Sequence, residues 1–146
     1  MNFEHEQSPY GSFISRLGGY ILDFLIMLAS LWVFALIAYL AHAPAVGNLG
    51  IFIFFLYPWL MIAKADGQTV GMKVVKVHCI DVRTGGPPTM TQAAGRTVAW
   101  LIFTLFSFFL AWIPLSVDLL WPAWDKKSQT LHDKMARTVV IRLDRL

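Results

Sequence analysis

The chain has 146 residues, of which 57% are hydrophobic and 14% charged, and its formal net charge at pH 7 is +3. Soluble domains usually carry about 25% charged residues, and a domain of this size buries too little of its surface to hide such an apolar excess. The composition therefore excludes an ordinary water-soluble domain and predicts an integral membrane protein. The apolar residues form three blocks, residues 13–41, 46–63 and 97–124.

The chain begins with a polar segment, residues 1–12, which precedes the first apolar block. This segment carries Glu4 and Glu6 and neither lysine nor arginine, whereas a cleaved signal peptide starts with basic residues. We therefore expect residues 13–41 to remain in the protein as a membrane-spanning helix.

Polar residues recur along one face of this first predicted helix. Arg16, Asp23 and Ser30 are spaced by seven residues, which is close to two helical turns. A charged side chain near the middle of a bilayer costs about 3 kcal/mol, so we expect Asp23 to face other helices, a partner charge or water. Two interpretations remain open, namely a structural ion pair or hydrogen-bonded site, and an ion or proton site.

Basic residues follow the second apolar block and recur in the tail. They occupy a loop, residues 64–96, and the tail, residues 125–146, and basic loops stay on the cytoplasmic side. We expect anionic lipid headgroups to be the partners of these segments, and we prefer this interpretation to nucleic-acid binding.

Two short runs rich in β-branched residues, 74–82 and 138–143, predict strands in the cytoplasmic loop and tail. Isolated short strands are unstable in water, so we expect the two runs to pair with each other. The single cysteine, Cys79, lies in the first run and is expected to be an inert thiol.

The third apolar block is predicted to reverse direction. A helix is expected to begin near residue 89 with Thr91 as its N-cap, and Arg96 lies where this helix enters the membrane. Pro114 interrupts the block, so we expect a turn near residues 111–115 and a short returning arm that spans or re-enters the membrane. Asp118 in that arm is a second candidate for the ion or structural charge site, and if the arm is re-entrant we expect it to lie nearer the interface and to be solvated.

These elements predict a single domain with an all-α membrane fold. It has three long spans, a short fourth or re-entrant arm, and a small cytoplasmic two-stranded β element. We expect a multi-pass protein of the cell (inner) membrane with both termini in the cytoplasm. The four histidines lack metal-ligand spacing and no nucleophile–base motif is present, so no metal, cofactor or enzymatic activity is expected.

Three segments of the chain resemble the RDD family of bacterial membrane proteins, which is named for one arginine and two aspartates. They are SRLGGYILDFLI at residues 15–26, DGQTVGMKVVKVHCIDVRTGGPPTMTQAAGR at 66–96 and QTLHDKMARTVVI at 129–141. The resemblance identifies Asp133 as the second aspartate. Met72 stands where the family usually has lysine, and Arg137 replaces the glycine of its closing Ala-Gly-Thr, a change that alters the turn if the glycine has a positive φ.

The resemblance implies transport of an unidentified ligand, with cation/proton exchange proposed for some members. In a transporter, Asp23 would carry the ion or proton, Arg16 would adjust its pKa, Asp133 would form a cytoplasmic entry, and the chain would form a homo-oligomer. The alternative is a scaffold or accessory subunit whose buried charges are structural. In either case we expect His132 and Asp133 to dock against Arg16 or Arg96. A water path to Asp23 favours transport, whereas a dry, paired carboxylate favours the scaffold.

Overall fold

The structure is a computed structural model that describes residues 9–143, and it is mostly helical with one two-stranded sheet. The predictions for Glu4, Glu6 and the rest of residues 1–8 lie outside the described residues. The elements, in chain order, are α1 (Phe13–Leu40), α2 (Pro44–Lys64), α3 (Val70–Val74), β1 (Val77–Asp81), α4 (Met90–Phe109), α5 (Ile113–Leu120), a 3-10 turn (Trp121–Ala123), α6 (Leu131–Ala136) and β2 (Thr138–Arg142).

The first two helices are long and apolar enough to cross a membrane. The hydroxyl of Ser12 caps α1 by accepting the backbone N–H of Ser15 at 3.2 Å, and Pro44 begins α2, a position where proline fits because its missing N–H is not needed. In the most apolar window of either helix, only 11% of the residues are buried by the rest of the protein. Their outer faces are therefore open to an apolar solvent.

The third apolar block is divided into two helices that form a hairpin. Ala111 and Trp112 have φ angles of 50° and 67°, and Pro114 lies in the first turn of α5. The hydroxyl of Ser107 accepts the backbone N–H of Leu115 at 2.8 Å and thereby joins the two arms. The structure agrees with the reversal predicted for residues 111–115.

Two details of this region differ from the prediction. The N-cap of α4 is Thr89 rather than Thr91, because Thr89 forms a reciprocal capping box with Gln92. In the part of the chain that the structure describes, α4 is not among the helices apolar enough to cross a membrane, so the structure does not confirm a third full span.

The two predicted strands pair as expected, and with two short helices they form a compact unit. We call α3, β1, α6 and β2 the cap. The strands are antiparallel, with Cys79 opposite Val140, but β1 is shorter than predicted because Val74 ends α3 and Lys76 has a φ of 56°. The main hydrophobic core lies where the cap meets the long helices, and its buried residues are Ile62, Met72, Val77, Cys79, Ala93 and Val140.

Candidate functional site

Asp23 lies in a pocket of hydrogen-bond donors between α1, α2 and the start of α3. Its Oδ1 accepts the hydroxyl of Tyr57 at 2.7 Å and the backbone N–H of Gly71 at 2.8 Å, and its Oδ2 accepts the hydroxyl of Thr69 at 2.5 Å. Only 7% of the residue is exposed. We call Asp23, Tyr57, Thr69 and Gly71 the Asp23 site, and its carboxylate is buried and accepts three hydrogen bonds.

Local structure after α2 explains how the donors reach Asp23. Gly67 makes the turn with a φ of 77°, and Thr69 caps α3 by accepting the backbone N–H of Met72 at 3.2 Å. Gly71 packs so closely against α1 that an added Cβ would overlap the carbonyl oxygen of Gly19 and lie 2.8 Å from Cγ of Asp23. The segment of residues 67–71 therefore supplies two of the three donors to Asp23.

The expected link between Arg16 and Asp23 is absent from the contacts of either residue. Arg16 pairs with Asp133 instead, and Asp23 has three uncharged donors. Ser30, the third residue of the predicted polar face, donates its hydroxyl to the carbonyl oxygen of Met27 at 2.7 Å and does not join either charged site. The position of Arg16, Asp23 and Ser30 on one face of α1 therefore did not identify the residues that each of them contacts.

A second polar site joins the cap to the long helices. Asp133 is completely buried and forms ion pairs with both Arg16, at 2.6 Å, and Arg96. Arg16 also donates to the carbonyl oxygen of Gly11 at 3.2 Å, and Arg96 donates to the hydroxyl oxygen of Tyr20 at 3.2 Å. The expectation that Asp133 docks against Arg16 or Arg96 agrees with this geometry, since it contacts both.

His132 extends this site toward α5. Its Nδ1 lies 2.6 Å from Oδ2 of Asp118 and its Nε2 lies 3.3 Å from the hydroxyl of Tyr20. Because the carboxylate of Asp118 can only accept, Nδ1 carries the ring proton, and Nε2 of the neutral ring accepts the hydroxyl of Tyr20. Burial, reinforced by the positive charge of Arg96, lowers the pKa of His132 to about 4, so the ring is neutral at physiological pH.

Asp118 differs from its predicted environment. It was expected to be solvated near the interface, but it is fully buried and accepts both the ring N–H and the backbone N–H of His132. The physical reason is that α6 folds back against α5, which brings two residues 14 positions apart into contact. We call Arg16, Arg96, Asp118, His132 and Asp133 the Asp133 cluster.

The two sites differ in their charge balance. The Asp133 cluster holds two arginines, two aspartates and a neutral histidine, so its formal charges cancel. Asp23, in contrast, has no lysine, arginine or histidine within ion-pair distance among the residues that the structure describes. No group of three or more histidine, cysteine, aspartate or glutamate side chains in residues 9–143 is arranged to hold a metal ion.

Comparisons with known proteins identify the family to which the chain is similar. The model of the RDD family matches residues 10–137. A 75-residue stretch, 51% of this chain, is 32% identical to proteins named proline-rich antigen homolog from two strains of Mycobacterium tuberculosis, of which it covers 28%. The chain thus matches less than a third of the length of these relatives, and no solved structure matches it. Because the family match extends over most of its length, the chain belongs to the RDD family.

Proposed function

We propose that this chain is a multi-pass protein of the cell membrane that acts as a scaffold or accessory subunit, with buried charges that hold a cytoplasmic cap on its membrane helices. The observation that carries this proposal is the saturation of both charged sites by protein partners. Arg16 and Arg96 form ion pairs with Asp133, and the ring of His132 hydrogen bonds to Asp118. The carboxylate oxygens of Asp23 accept three hydrogen bonds.

Length and apolar composition together support two full crossings and a re-entrant hairpin, because α4 is long enough to cross but does not meet the same test of apolar composition as α1 and α2. At about 1.5 Å per residue, α1 and α2 reach about 42 and 31 Å, which exceeds the hydrocarbon thickness of about 30 Å. The returning arm, Ile113–Ala123, reaches only about 16 Å and cannot cross. Two crossings and a hairpin place the basic loop and the basic tail on one side, which is the cytoplasmic side by their charge.

Labelling of single cysteines tests this topology. In a Cys79→Ala background, we expect Ala111→Cys at the hairpin tip to resist a membrane-impermeant maleimide from both sides of the membrane. His42→Cys, in the turn between α1 and α2, is the control and should react from outside only. Reaction of Ala111→Cys from outside would mean that α4 crosses completely.

A second candidate function is cation or proton transport at Asp23, and the missing counter-charge favours it. The carboxylate of Asp23 has no positive partner among the described residues, and the hydroxyl oxygens of Tyr57 and Thr69 lie beside it as further oxygen ligands for a monovalent cation. Transport through a bundle of this size would require a homo-oligomer, as expected from the sequence.

Flux measurements separate the two functions. The purified chain is reconstituted in liposomes and the movement of Na⁺, K⁺ and H⁺ is followed with ion-sensitive dyes. Under the scaffold proposal, the flux equals that of empty liposomes. A flux that Asp23→Asn abolishes, and that the tail control Asp125→Asn leaves intact, would reject the scaffold and support transport.

A further inference from the structure

We infer that a cleft on the cap binds a phosphate-bearing anion, either a lipid headgroup or a soluble phosphate. The cleft has a volume of about 490 Å³ and lies between the end of β1, the start of α4 and the start of β2. It is separate from the Asp23 site and the Asp133 cluster. Its lining residues are Asp81, Arg83, Thr84, Thr89, Gln92 and Arg137.

The two arginines of the cleft are not held in ion pairs, although the charge of Arg83 acts on Asp81 from beyond ion-pair distance. Arg83 and Arg137 are both exposed, and among the described residues neither guanidinium has an ion pair. This contrasts with Arg16 and Arg96, which are buried and paired with Asp133. Two guanidinium groups facing one cleft present the planar donors that bind phosphate oxygens most strongly.

The acidic residue of the cleft, Asp81, interacts electrostatically with Arg83 but forms no ion pair with either arginine among the described residues. Asp81 accepts the backbone N–H of Arg83 at 2.9 Å. Its carboxylate thus shapes the turn after β1. With one aspartate and two arginines, the formal charge of the cleft is +1.

The backbone at Arg137 holds this arginine at the edge of the cleft, directly after α6. This residue caps α6 in the left-handed conformation, with φ 55° and ψ 41°, which costs a residue with a side chain about 1–2 kcal/mol and costs glycine little. The side chain of Arg137 makes no described contact that offsets this strain.

The position of the cleft at the start of α4 places it close to the membrane surface in the proposed topology. Thr89 is the N-cap of α4, and in the topology of the proposed function, on which this step rests, α4 enters the bilayer from the cytoplasm. The cleft then lies at the level of the headgroups, where anionic lipids present their phosphates.

Binding to the full-length protein tests the inference. In detergent, inorganic phosphate is titrated and followed by calorimetry. In phosphatidylcholine nanodiscs, phosphatidylglycerol is added and its retention is followed by native mass spectrometry. We expect saturable binding in at least one arm, and Arg83→Gln/Arg137→Gln should weaken it by about tenfold or more, because charge-assisted hydrogen bonds are lost.

The control removes two positive charges elsewhere on the same surface. Lys126→Gln/Lys127→Gln carries the same change in charge as the cleft variant and does not touch the cleft, so its affinity should stay within about threefold of the unmodified chain. Phosphate binding in detergent identifies a soluble ligand, and binding confined to nanodiscs identifies a lipid. Absence of saturable binding in both arms, or equal losses in the two double variants, would overturn the inference. The detergent arm does not depend on topology, so its result separates this inference from the proposed function.

Discussion

Replacing Asp133 by asparagine removes the negative charge that lies between two buried arginines. The side chain of Asp133 is 0% exposed, and those of Arg16 and Arg96 are 3% and 4% exposed. Water therefore cannot solvate the two guanidinium groups once the charge of Asp133 is removed. Asparagine keeps a side-chain oxygen that can accept the backbone N–H of Thr130, as Asp133 does. The variant therefore tests the charge with little change in shape.

The expected loss of stability is about 3–5 kcal/mol, because breaking a buried ion pair leaves uncompensated charge. Lys134→Gln is the matched control on the same short helix. It breaks the pair with Asp125, in which the two side chains are 42% and 11% exposed, and such pairs contribute about 0–1 kcal/mol. Measured as opening of the cap, Asp133→Asn should increase the open population by at least about a hundredfold.

Cys79 provides the assay. It is the single cysteine of the chain, it is completely buried in β1, and it lies 3.5 Å from Nη1 of Arg96. A thiol-reactive fluorophore should therefore label it only when the cap opens, and the labelling rate in detergent at constant pH reports that opening. If Asp133→Asn and Lys134→Gln label at similar rates, the argument for a charge-dependent cap is refuted.

A double variant separates charge from shape. Arg16→Gln/Asp133→Asn returns the cluster to formal neutrality, with Arg96 opposite Asp118. We expect the double variant to be more stable than the sum of the two single losses predicts, by more than about 1 kcal/mol, because residues in one ion-pair network are coupled. Additive losses would show that the charges do not interact.

Three further predictions follow from single positions. Burial lowers the pKa of His132 to about 4, so between pH 6.5 and 4 the unfolded chain binds a proton at this residue and the folded chain does not. The folded state should therefore lose up to about 3 kcal/mol of stability as the pH falls through this window. Melting followed by circular dichroism should show this loss, and His132→Asn should show a much smaller one. Arg137→Gly should raise the melting temperature by relieving the positive φ, a gain of about 0.5–1 kcal/mol, and a lower melting temperature would contradict the strain argument. Gly71→Ala should destabilise the protein by about 1–3 kcal/mol through overlap with Gly19, whereas Gly95→Ala in α4, whose added Cβ meets nothing within 4 Å, should be neutral or stabilising in the same melting assay.

The sequence predicted the features that depend on local patterns. The apolar blocks indicated α1 and α2, the β-branched runs indicated β1 and β2, and Pro114 indicated the reversal between α4 and α5. Each of these signals is carried by neighbouring residues, whose side chains decide helix, strand or turn on a short scale. The docking of Asp133 against arginine came from the family resemblance and not from a local pattern.

The partners of Asp23 were missed because they have no local signature. Tyr57 and Thr69 lie 34 and 46 positions away in the chain, and only the packing of α2 and α3 against α1 brings them together. The seven-residue spacing suggested Arg16 as a partner, yet seven residues along a helix are separated by about 10 Å. Side chains on one helix meet at spacings of three or four, so a shared face at a spacing of seven indicates a common neighbour rather than a mutual contact.

The contrast between the two sites bears on why the chain keeps polar residues in its interior. A buried ion-pair network is often no more stabilising than apolar packing of the same volume, so stability alone does not explain the Asp133 cluster. Apolar faces of a small cap and two long helices can slide against each other, whereas Asp133 meets Arg16 and Arg96 in one orientation only. The cluster thus specifies how the cap docks. Asp23 also fixes α3 to α1, but it does so through uncharged donors on α3 rather than through a counter-charge, so the two sites hold the cap to the helices by different kinds of contact.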